Sequence, residues 1–295
     1  MNDRFEREFT DSVFPFASIN AQMTINIKGR VINFSTPWVM GIVNVTPDSF
    51  YDGGEHVTET QVLKHAENML VAGAAMLDIG GMSSRPGAKI IEEGTELERV
   101  LVHVKNIVKK FPHAIVSVDT IRAKVAEECL KAGAHIINDI SGGRFDANMI
   151  PVVAKYKVPF IVMHMQGMPD TMQQNPEYKN VTTEVMDFFA ERIATCRKSG
   201  ISDIILDPGF GFGKTLEHNY TLLKNLKYFT QLGLPVLAGL SRKGMIYKPL
   251  GVKPEDALNG TSVANTIALL NGASILRVHD VKEAKQAIQI VGFAK

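Results

Sequence analysis

The sequence predicts a single (β/α)8 TIM barrel of the α/β class. Eight short apolar runs, rich in β-branched residues, alternate with segments that can form helices. Each run ends at a polar residue, which is typical of the carboxyl ends of parallel strands that are buried on both faces. These polar residues are Asn44, Asp78, Asp119, Asn138, His164, Asp207, Ser241 and His279. Because the carboxyl ends of barrel strands meet at one rim, we expect the active site there.

The composition is that of an ordinary globular chain. The 295 residues, 45% hydrophobic and 21% charged, suffice for one barrel with a modest extension. A formal net charge of +1 provides no overall field for nucleic acid or an acidic membrane, so neither is an expected partner. Cys129 and Cys196 lack metal-ligand spacing and are interpreted as free thiols of a reducing compartment. No apolar stretch reaches the roughly 18 residues of a membrane span, and the acidic start is no signal peptide. A cytoplasmic location is therefore expected.

The N-terminal part, residues 1–37, is predicted to be an extension followed by a β-hairpin, with the barrel at 38–295. Residues 1–23 have no clear hydrophobic period. Lys28-Gly29 then separates two apolar segments, as a tight hairpin turn would. The apolar residues on either side are Ile25, Ile27, Val31, Ile32 and Phe34. Such a hairpin is suited to closing the bottom of the barrel.

The barrel elements follow in a regular order. We expect strands at 39–45, 76–80, 115–119, 135–139, 159–164, 203–207, 235–240 and 275–280. Helices are expected at 58–72, 92–110, 121–132, 147–156, 177–199, 216–231, 256–271 and 281–291. A glycine suited to a left-handed helix end precedes five of the strands: Gly73, Gly133, Gly200, Gly233 and Gly272. Eight unbroken alternations favour a closed barrel over an open sheet.

Two strand-to-helix loops are unusually long. They cover residues 46–56 and 80–91 and are rich in Gly, Ser, Pro and Asp. Long loops in compact barrels are usually functional. We expect both loops to lie side by side on the rim and to exclude water during the reaction.

The last strand carries a predicted anion site. Arg277 and His279 are two residues apart, so both side chains point into the barrel near the rim, where barrels often hold phosphate. The alternative is a buried Arg277 paired with an acid such as Asp280. Asn44, on the first strand, becomes a neighbour of the last strand once the barrel closes. Its amide oxygen, beside a bound diphosphate, suits Mg²⁺.

Asp119, Asn138 and Asp207 end the third, fourth and sixth strands. A carboxylate deep in a barrel is costly unless it is paired. A structural salt bridge from Lys243 is one alternative, but it does not account for all three residues. A ligand with a row of N–H donors, such as the edge of a pterin or guanine, would satisfy Asp207 in a bidentate manner. Lys243 would then meet a ring carbonyl or ring nitrogen.

The segment DPGFGFGKT resembles a phosphate-binding loop, but it lacks one required glycine. The Walker A pattern needs glycine five places before Gly213, where this chain has Pro208. We interpret Gly209, Gly211 and Gly213 as allowing the backbone to approach a flat ligand. Phe210 or Phe212 would then form an apolar wall.

Three further residues have competing interpretations. Lys243 could form a Schiff base, with Arg242 lowering its pKa, but nothing suggests a carbonyl substrate. His164 could contact a ligand or be a hydrogen-bonded structural histidine. Asp78 could support the loop that follows it.

Seven segments resemble the dihydropteroate synthase family. They are GIVNVTPDSFYDGG at 41–54, LDIGGMSSRPGA at 77–88, SVDT at 117–120, IND at 137–139, DPGFGFGK at 207–214, LSRK at 240–243 and RVHD at 277–280. The resemblance covers about 40–293, in the family's order. It implies an enzyme of folate biosynthesis that joins 6-hydroxymethyl-7,8-dihydropterin diphosphate to 4-aminobenzoate and releases diphosphate. It also implies Mg²⁺-assisted diphosphate departure, attack by the amine on a pterin cation, and a homodimer.

The resemblance also assigns residues. For substrate binding it implies Ser84, Arg85, Pro86, Asp119, Asn138, Met163, Asp207, Phe212, Lys243, Arg277 and His279. For catalysis it implies Asp48, Arg85, Asp119, Lys243, Arg277 and His279, and for Mg²⁺ it implies Asn44. Within these sets, Asp119, Asn138, Asp207 and Lys243 hold the pterin, and Phe212 lines the aminobenzoate pocket.

The chain departs from the family pattern at three positions. Met82 stands where the family usually has Glu, Ser84 stands where it usually has Thr and keeps the hydroxyl, and Gly244 stands where it commonly has Ser. Two alternative functions remain: the pterin-binding module of a corrinoid-dependent methyltransferase, and a non-catalytic pterin-binding paralogue.

Overall fold

The computed structural model describes residues 23–46, 58–82, 90–167, 172 and 175–294. Within these ranges the strands are β1 (Thr24–Ile27), β2 (Arg30–Asn33), β3 (Trp38–Asn44), β4 (Met76–Gly80), β5 (Ile115–Asp119), β6 (Ile136–Asp139), β7 (Phe160–Met163), β8 (Ile204–Asp207), β9 (Leu237–Ala238) and β10 (Ile275–Val278). The helices are α1 (Glu59–Val71), α2 (Glu93–Lys110), α3 (Ala123–Lys131), α4 (Met149–Tyr156), α5 (Val181–Lys198), α6 (Leu216–Lys224), α7 (Lys227–Thr230), α8 (Gly244–Leu250), α9 (Leu258–Leu270) and α10 (Val281–Ala294). A 3-10 helix covers Pro254–Asp256. The predicted extension up to residue 22, and most of both long loops (47–57 and 83–89), lie outside the described residues.

Eight parallel strands form the barrel. Their order is β8-β7-β6-β5-β4-β3-β10-β9, and a bridge between Leu206 and Val236 joins β8 to β9. The predicted TIM barrel is therefore confirmed. β9 has only two residues, fewer than the predicted 235–240, because Pro235 has no N–H to donate and Gly239 weakens a strand.

The predicted hairpin is confirmed, and it packs on the N-terminal end of the barrel. β1 and β2 pair in antiparallel fashion, with Lys28 and Gly29 at positive φ in the turn. The buried hairpin residues Ile25, Ile27, Ile32 and Phe34 share one apolar cluster with an inward-facing residue from each barrel strand. These strand residues, which we call the bottom layer, are Met40, Met76, Ile115, Ile136, Ile161, Ile205, Leu237 and Ile275. Full burial of one such side chain contributes about 1.5–3 kcal/mol.

Above the bottom layer the interior becomes polar. Because strand side chains alternate between faces, the residues two positions further along also face the interior. These residues form the middle layer: Ile42, Asp78, Ser117, Asn138, Met163, Asp207, Gly239 and Arg277. Two positions further still, at the carboxyl rim, lie Asn44, Asp119, Ser241 and His279. The strand register therefore brings residues that are distant in sequence into one site.

The helices cover the outer face of the barrel because their sequences are amphipathic and capped. In α2, Val100, Val104 and Ile107 recur at helical spacing and are fully buried in the main core. Helix α1 begins at Thr58, whose side chain accepts from the backbone N–H of Gln61 in a capping box. Among the described residues, no helix is long and apolar enough to cross a membrane.

Helix boundaries agree with the predictions except after β8 and β9. All five predicted helix-end glycines have positive φ, from 70° to 108°. The predicted helix at 216–231 is divided into α6 and α7. Helix α8 follows Lys243 and was not among the predicted stretches, because it has only seven residues and contains both Gly244 and Pro249.

Candidate active site

Arg277 lies at the centre of the polar interior. Its Nε donates to Asp78 Oδ2 at 2.6 Å and its Nη2 donates to Asp119 Oδ2 at 2.8 Å. Burial disfavours the charged guanidinium, but these two carboxylates raise the pKa of Arg277 above its usual value. The alternative of a buried Arg277 paired with an acid is therefore confirmed in part: its partners are Asp78 and Asp119. Asp280 is not one of them, because it accepts two hydrogen bonds from Arg242. Strand register, rather than sequence proximity, selects the partners of Arg277.

Asp78 has a larger role than the sequence suggested. It is fully buried, and its Oδ2 accepts from Asn138 Nδ2 at 3.0 Å as well as from Arg277. It therefore connects two predicted site residues. The available signal was its spacing of two from Met76, which places it on the inward face.

Three oxygens of the middle layer have no hydrogen-bond partner among the residues that the structure describes. They are Asp78 Oδ1, Ser117 Oγ and Asn138 Oδ1, all buried. An unpaired buried acceptor costs about 1–3 kcal/mol. A ligand that brings N–H donors into the barrel would remove this cost. Ser117 was not a predicted site residue, although it precedes Asp119 by two positions on β5.

Asp119 is surrounded by other acids as well as by Arg277. Burial raises the pKa of its carboxyl to about 7, and Arg277 only partly counteracts that shift. The nearby carboxylates of Asp78, Glu96 and Asp139 raise the pKa further. Positive charge on a ligand would therefore be stabilised next to Asp119.

Asp207 and Lys243 face each other across the opposite side of the barrel. A Cβ atom on Gly239 would lie 3.7 Å from Lys243 Nζ and 3.9 Å from Asp207 Oδ2. Asp207 Oδ1 accepts from the backbone N–H of Gly209 at 2.8 Å. Burial raises the pKa of Asp207 and lowers that of Lys243 to about 8, while the attraction between the two charges works against both shifts. Because Gly239 has no side chain, no Cβ atom occupies the position beside these two groups.

The contacts of Lys243 do not match the two alternative interpretations, a structural salt bridge and a Schiff-base lysine. Its Nζ donates to the carbonyl oxygen of Phe210 and lies 4.8 Å from the centroid of the Phe212 ring. Among the described residues it has no acid within 4.0 Å, so the structural salt bridge is not formed. Arg242 is paired with Asp280, and burial lowers the pKa of Lys243.

His279 is oriented by a serine on the neighbouring strand end. Ser241 Oγ lies 3.0 Å from His279 Nδ1 and accepts from the His279 backbone N–H at 3.2 Å. Ser241 therefore helps to fix the orientation of the imidazole at the rim. Asn44 also lies at this rim, because a Cβ on Gly80 would lie 3.8 Å from Asn44 Oδ1 and 3.7 Å from Asp119 Oδ2.

The mouth of the barrel has an apolar wall. Met163 and Phe212 belong to one buried cluster there, and Met82 packs into the same cluster. The other buried members are Ile121, Ile140, Met165 and Met172. Met82 therefore contributes an apolar contact at the position where the family usually has Glu.

His164 and Lys214 form a separate buried contact. Lys214 Nζ is 3.0 Å from His164 Nδ1, and both side chains are buried. Burial and the nearby Lys214 lower the pKa of His164 to about 2. His164 is therefore a hydrogen-bonded structural histidine. Lys214 points into the protein, where it could not contact a bound phosphate. This agrees with the prediction that the segment is not a Walker A loop.

Four predicted site residues cannot be placed. Asp48, Ser84, Arg85 and Pro86 lie outside the described residues. The structure brings together Asp119, Asn138, Asp207, Lys243, Arg277 and His279, together with Asn44, Met163 and Phe212 at the same end of the barrel.

Comparison with known proteins agrees with this geometry. Residues 40–279 match the family model described as pterin binding enzyme. The dihydropteroate synthase of Escherichia coli K12 is 46% identical over 271 residues, which cover 91% of this chain and 95% of that protein.

Two solved structures are similar over nearly the whole chain. The Yersinia pestis dihydropteroate synthase, in complex with a sulfonamide drug, has a TM-score of 0.88 and 44% identity, covering 92% of this chain and 99% of that one. The Xanthomonas albilineans enzyme with 4-aminobenzoic acid has a TM-score of 0.86 and 39% identity, covering 93% and 98%. This chain belongs to the dihydropteroate synthase family of pterin-binding enzymes.

Proposed function

We propose that this protein is a dihydropteroate synthase. It joins 6-hydroxymethyl-7,8-dihydropterin diphosphate to 4-aminobenzoate and releases 7,8-dihydropteroate and diphosphate. The observation that carries the proposal is the set of unpaired buried acceptors in the middle layer, open to a ligand that brings N–H donors. Family membership supports the same reaction.

The pterin ring occupies the space between Asp207 and the pair Asp78–Asn138. Its amino group and ring N–H donate to Asp207 in a bidentate manner, while Lys243 donates to the ring carbonyl or a ring nitrogen. Asn138 offers both an amide donor and an acceptor. This placement is supported by the positions of Lys243 Nζ and Asp207 Oδ2, which both lie within 4 Å of the point where a Cβ on Gly239 would be.

The diphosphate lies at the rim, between β10 and β3. Arg277 uses Nε and Nη2 for protein carboxylates, and its Nη1 donates to no residue that the structure describes, so Nη1 is available to an anion. His279, held by Ser241, provides a second donor. Together they neutralise the negative charge that develops on the leaving group.

We include Mg²⁺ at Asn44 in this proposal. Mg²⁺ prefers oxygen ligands and usually keeps several waters besides one or two protein groups and substrate phosphates. Asn44 offers an amide oxygen beside the open side of Gly80, which fits that preference. The described residues contain no group of three or more His, Cys, Asp or Glu side chains that could hold a metal. A cation held mainly by substrate oxygens is compatible with that donor set. When bound, it would supply additional positive charge for the diphosphate.

The reaction breaks the bond between the pterin methylene carbon and the diphosphate oxygen. The electron pair leaves with the diphosphate, and the positive charge spreads over the electron-rich pterin beside Asp119. The amine of 4-aminobenzoate then forms the new C–N bond and loses a proton. No covalent bond to the protein is required, so the side chains act by positioning and electrostatics.

The aminobenzoate ring packs against the apolar wall at Phe212 and Met163. Asp48, Ser84, Arg85 and Pro86 complete the cover of the site in this proposal, on the basis of the family resemblance. Backbone N–H groups around Gly244 are available to the aminobenzoate carboxylate, because no side chain occupies that position.

The expected homodimer has a suitable surface on the last two helices. Val263, Ile267 and Leu270 are exposed along α9, and Ile290 and Phe293 are exposed on α10. We propose that a second copy of the chain covers these side chains. Light scattering after size exclusion should give twice the monomer mass, and Phe293→Glu should shift the population toward monomer.

The reaction is tested by measuring diphosphate release with each substrate alone and with both. Release that requires both pterin diphosphate and 4-aminobenzoate, with stoichiometric dihydropteroate, is expected. Release without the amine would indicate a hydrolase. Pterin binding without release would indicate a non-catalytic paralogue or the methyltransferase-type module.

A further inference from the structure

Residues 207–214, which we call the glycine loop, pack against the segment that follows β7 with almost no space between them. A Cβ on Gly209 would lie 2.0 Å from the carbonyl oxygen of His164, and a Cβ on Gly213 would lie 2.3 Å from that of Gln166. Both glycines have positive φ, 68° and 60°. Other residues at either position would therefore push the glycine loop away from β7.

Lys214, at the end of the glycine loop, connects these two segments. Its Nζ lies 3.0 Å from His164 Nδ1, 3.0 Å from each of the carbonyl oxygens of Gly209 and Phe212, and 3.3 Å from that of His164. The residue is only 2% exposed. A buried ammonium is costly unless hydrogen bonds surround it, and here every neighbour is an acceptor. The neutral ring of His164 supplies one of these acceptors through Nδ1.

The other side of the glycine loop faces the substrate. The ring of Phe212 forms part of the apolar wall and lies 4.8 Å from Lys243 Nζ. Lys243 also donates a hydrogen bond to the carbonyl oxygen of Phe210, so the glycine loop helps to position this lysine. The backbone of Phe212 is held on one side by its N–H, which donates to Gly209 O, and on the other by Lys214. Lys214 is therefore one of the two partners that hold the backbone of Phe212.

Asp207 depends less on Lys214. It ends β8, where it is in register with Met163 of β7, and it accepts directly from Gly209 N–H. The sheet therefore holds the pterin-facing carboxylate, while Lys214 holds the wall beyond it. Tyr178 Oη, which donates to Gly213 O at 2.8 Å, closes the far end of the loop.

We propose that Lys214 and His164 form a positioning pair that sets Phe212 against the 4-aminobenzoate half of the site. The pair does not touch the substrate and acts through the backbone of the glycine loop. This inference rests on the proposed function, because it assigns the wall at Phe212 to the amine substrate. It also explains why a motif ending in Gly213-Lys214 can occur here without binding a nucleotide phosphate.

The kinetic test compares Lys214→Met and His164→Leu with His164→Asn, which retains an acceptor near the position of Nδ1. The first two variants should raise the KM for 4-aminobenzoate about tenfold, the factor expected for loss of one hydrogen bond to a charged group. The KM for pterin diphosphate should change much less. His164→Asn should restore most of the loss. Lys224→Met, which removes an exposed lysine on α6, is the matched control.

Equal increases in both KM values, an unchanged KM for 4-aminobenzoate, or failure of His164→Asn to restore it would overturn the pair's role. A wild-type chain that forms no dihydropteroate would instead contradict the proposed function. In that case, and for any variant too weak to assay, hydrogen exchange of the protein without substrate tests whether Lys214 and His164 position the glycine loop. Amides 209–213 should exchange about tenfold faster in Lys214→Met, while amides 204–207 keep their protection. Unchanged exchange at 209–213 would overturn the inference.

Discussion

The bottom and middle layers of the barrel lie on the same strands, two residues apart. They differ in how far the contacts of their side chains are provided by the protein itself. Every member of the bottom layer packs against other apolar side chains and the hairpin. The middle layer holds charged and amide groups, several with unpaired oxygens. The first arrangement is complete without a ligand, whereas the second becomes complete only with one. The residues that stabilise the fold and the residues that bind a ligand are therefore only two positions apart on each strand.

The largest effect is expected at Arg277, which connects the middle layer to the rim. Arg277→Ala should reduce diphosphate-dependent turnover about 10²–10³-fold, as loss of one preorganised donor to a developing charge does. Pterin binding should weaken less, because Asp207 and Lys243 remain. Steady-state diphosphate release and pterin affinity measure the two effects, with the exposed Arg197→Ala as control. Unchanged turnover would show that the anion is held elsewhere.

Substitutions of Ile136 and Asn138 test the different roles of the two layers most directly, because both residues lie on β6, one in each layer. Ile136→Ala should lower the free energy of unfolding by about 2–5 kcal/mol through a cavity in the bottom layer. Turnover of the folded enzyme should stay near that of the wild type. Asn138→Leu should change stability by only about 1 kcal/mol but should abolish pterin binding.

Urea denaturation and pterin titration of both variants provide the measurements. A large loss of stability in Asn138→Leu, with pterin binding retained, would reverse the assignment of the two layers. Ile136→Val serves as the conservative control in the bottom layer.

A smaller effect is expected at Ser241. Ser241→Ala removes the contact with His279 Nδ1 and should lower turnover about two- to tenfold, as loss of a neutral hydrogen bond does. Ser241→Thr keeps the hydroxyl and should restore activity. If both variants are equally impaired, packing at this position matters more than the orientation of the imidazole.

The last prediction concerns the free energy of unfolding instead of turnover: it should depend on pH through Asp119. Burial raises the pKa of its carboxyl to about 7 in the folded chain, from an ordinary value of 3.8. Between these pH values the folded state binds more protons than the unfolded state, so this group's stabilising contribution is lost as pH rises from about 4 to about 7. Urea midpoints measured across this range should depend less on pH in Asp119→Asn. An identical pH dependence in both proteins would contradict the raised pKa.

Much of the fold was predictable because each local signal had a single physical interpretation. Apolar runs ending at polar residues marked the strands, and the glycines at 73, 133, 200, 233 and 272 marked the helix ends. β9 and α8 were predicted poorly because both are short and contain Gly or Pro. Their extents depend on neighbouring strands and helices, which local sequence does not describe.

The site was predictable in its membership but not in its contacts. Asp119, Asn138, Asp207, Lys243, Arg277 and His279 all lie in or above the middle layer. The sequence did not predict the contacts of Asp78 with Asn138 and Arg277, and it named Asp280 as an example of an acid partner for Arg277, although Asp280 pairs with Arg242. Both errors have one cause: hydrogen-bond partners in a barrel are set by stagger between strands that are far apart in sequence.

The sequence by itself determined the barrel, the rim that carries the chemistry and the kinds of group found there. These follow from hydrophobic period and residue chemistry, which are properties of short segments. Only the tertiary structure decided that Asp78 joins Arg277 to Asn138, that Ser241 orients His279, and that Lys214 serves the interior instead of a phosphate. Those outcomes depend on distances between segments up to 199 residues apart, and only strand closure sets such distances.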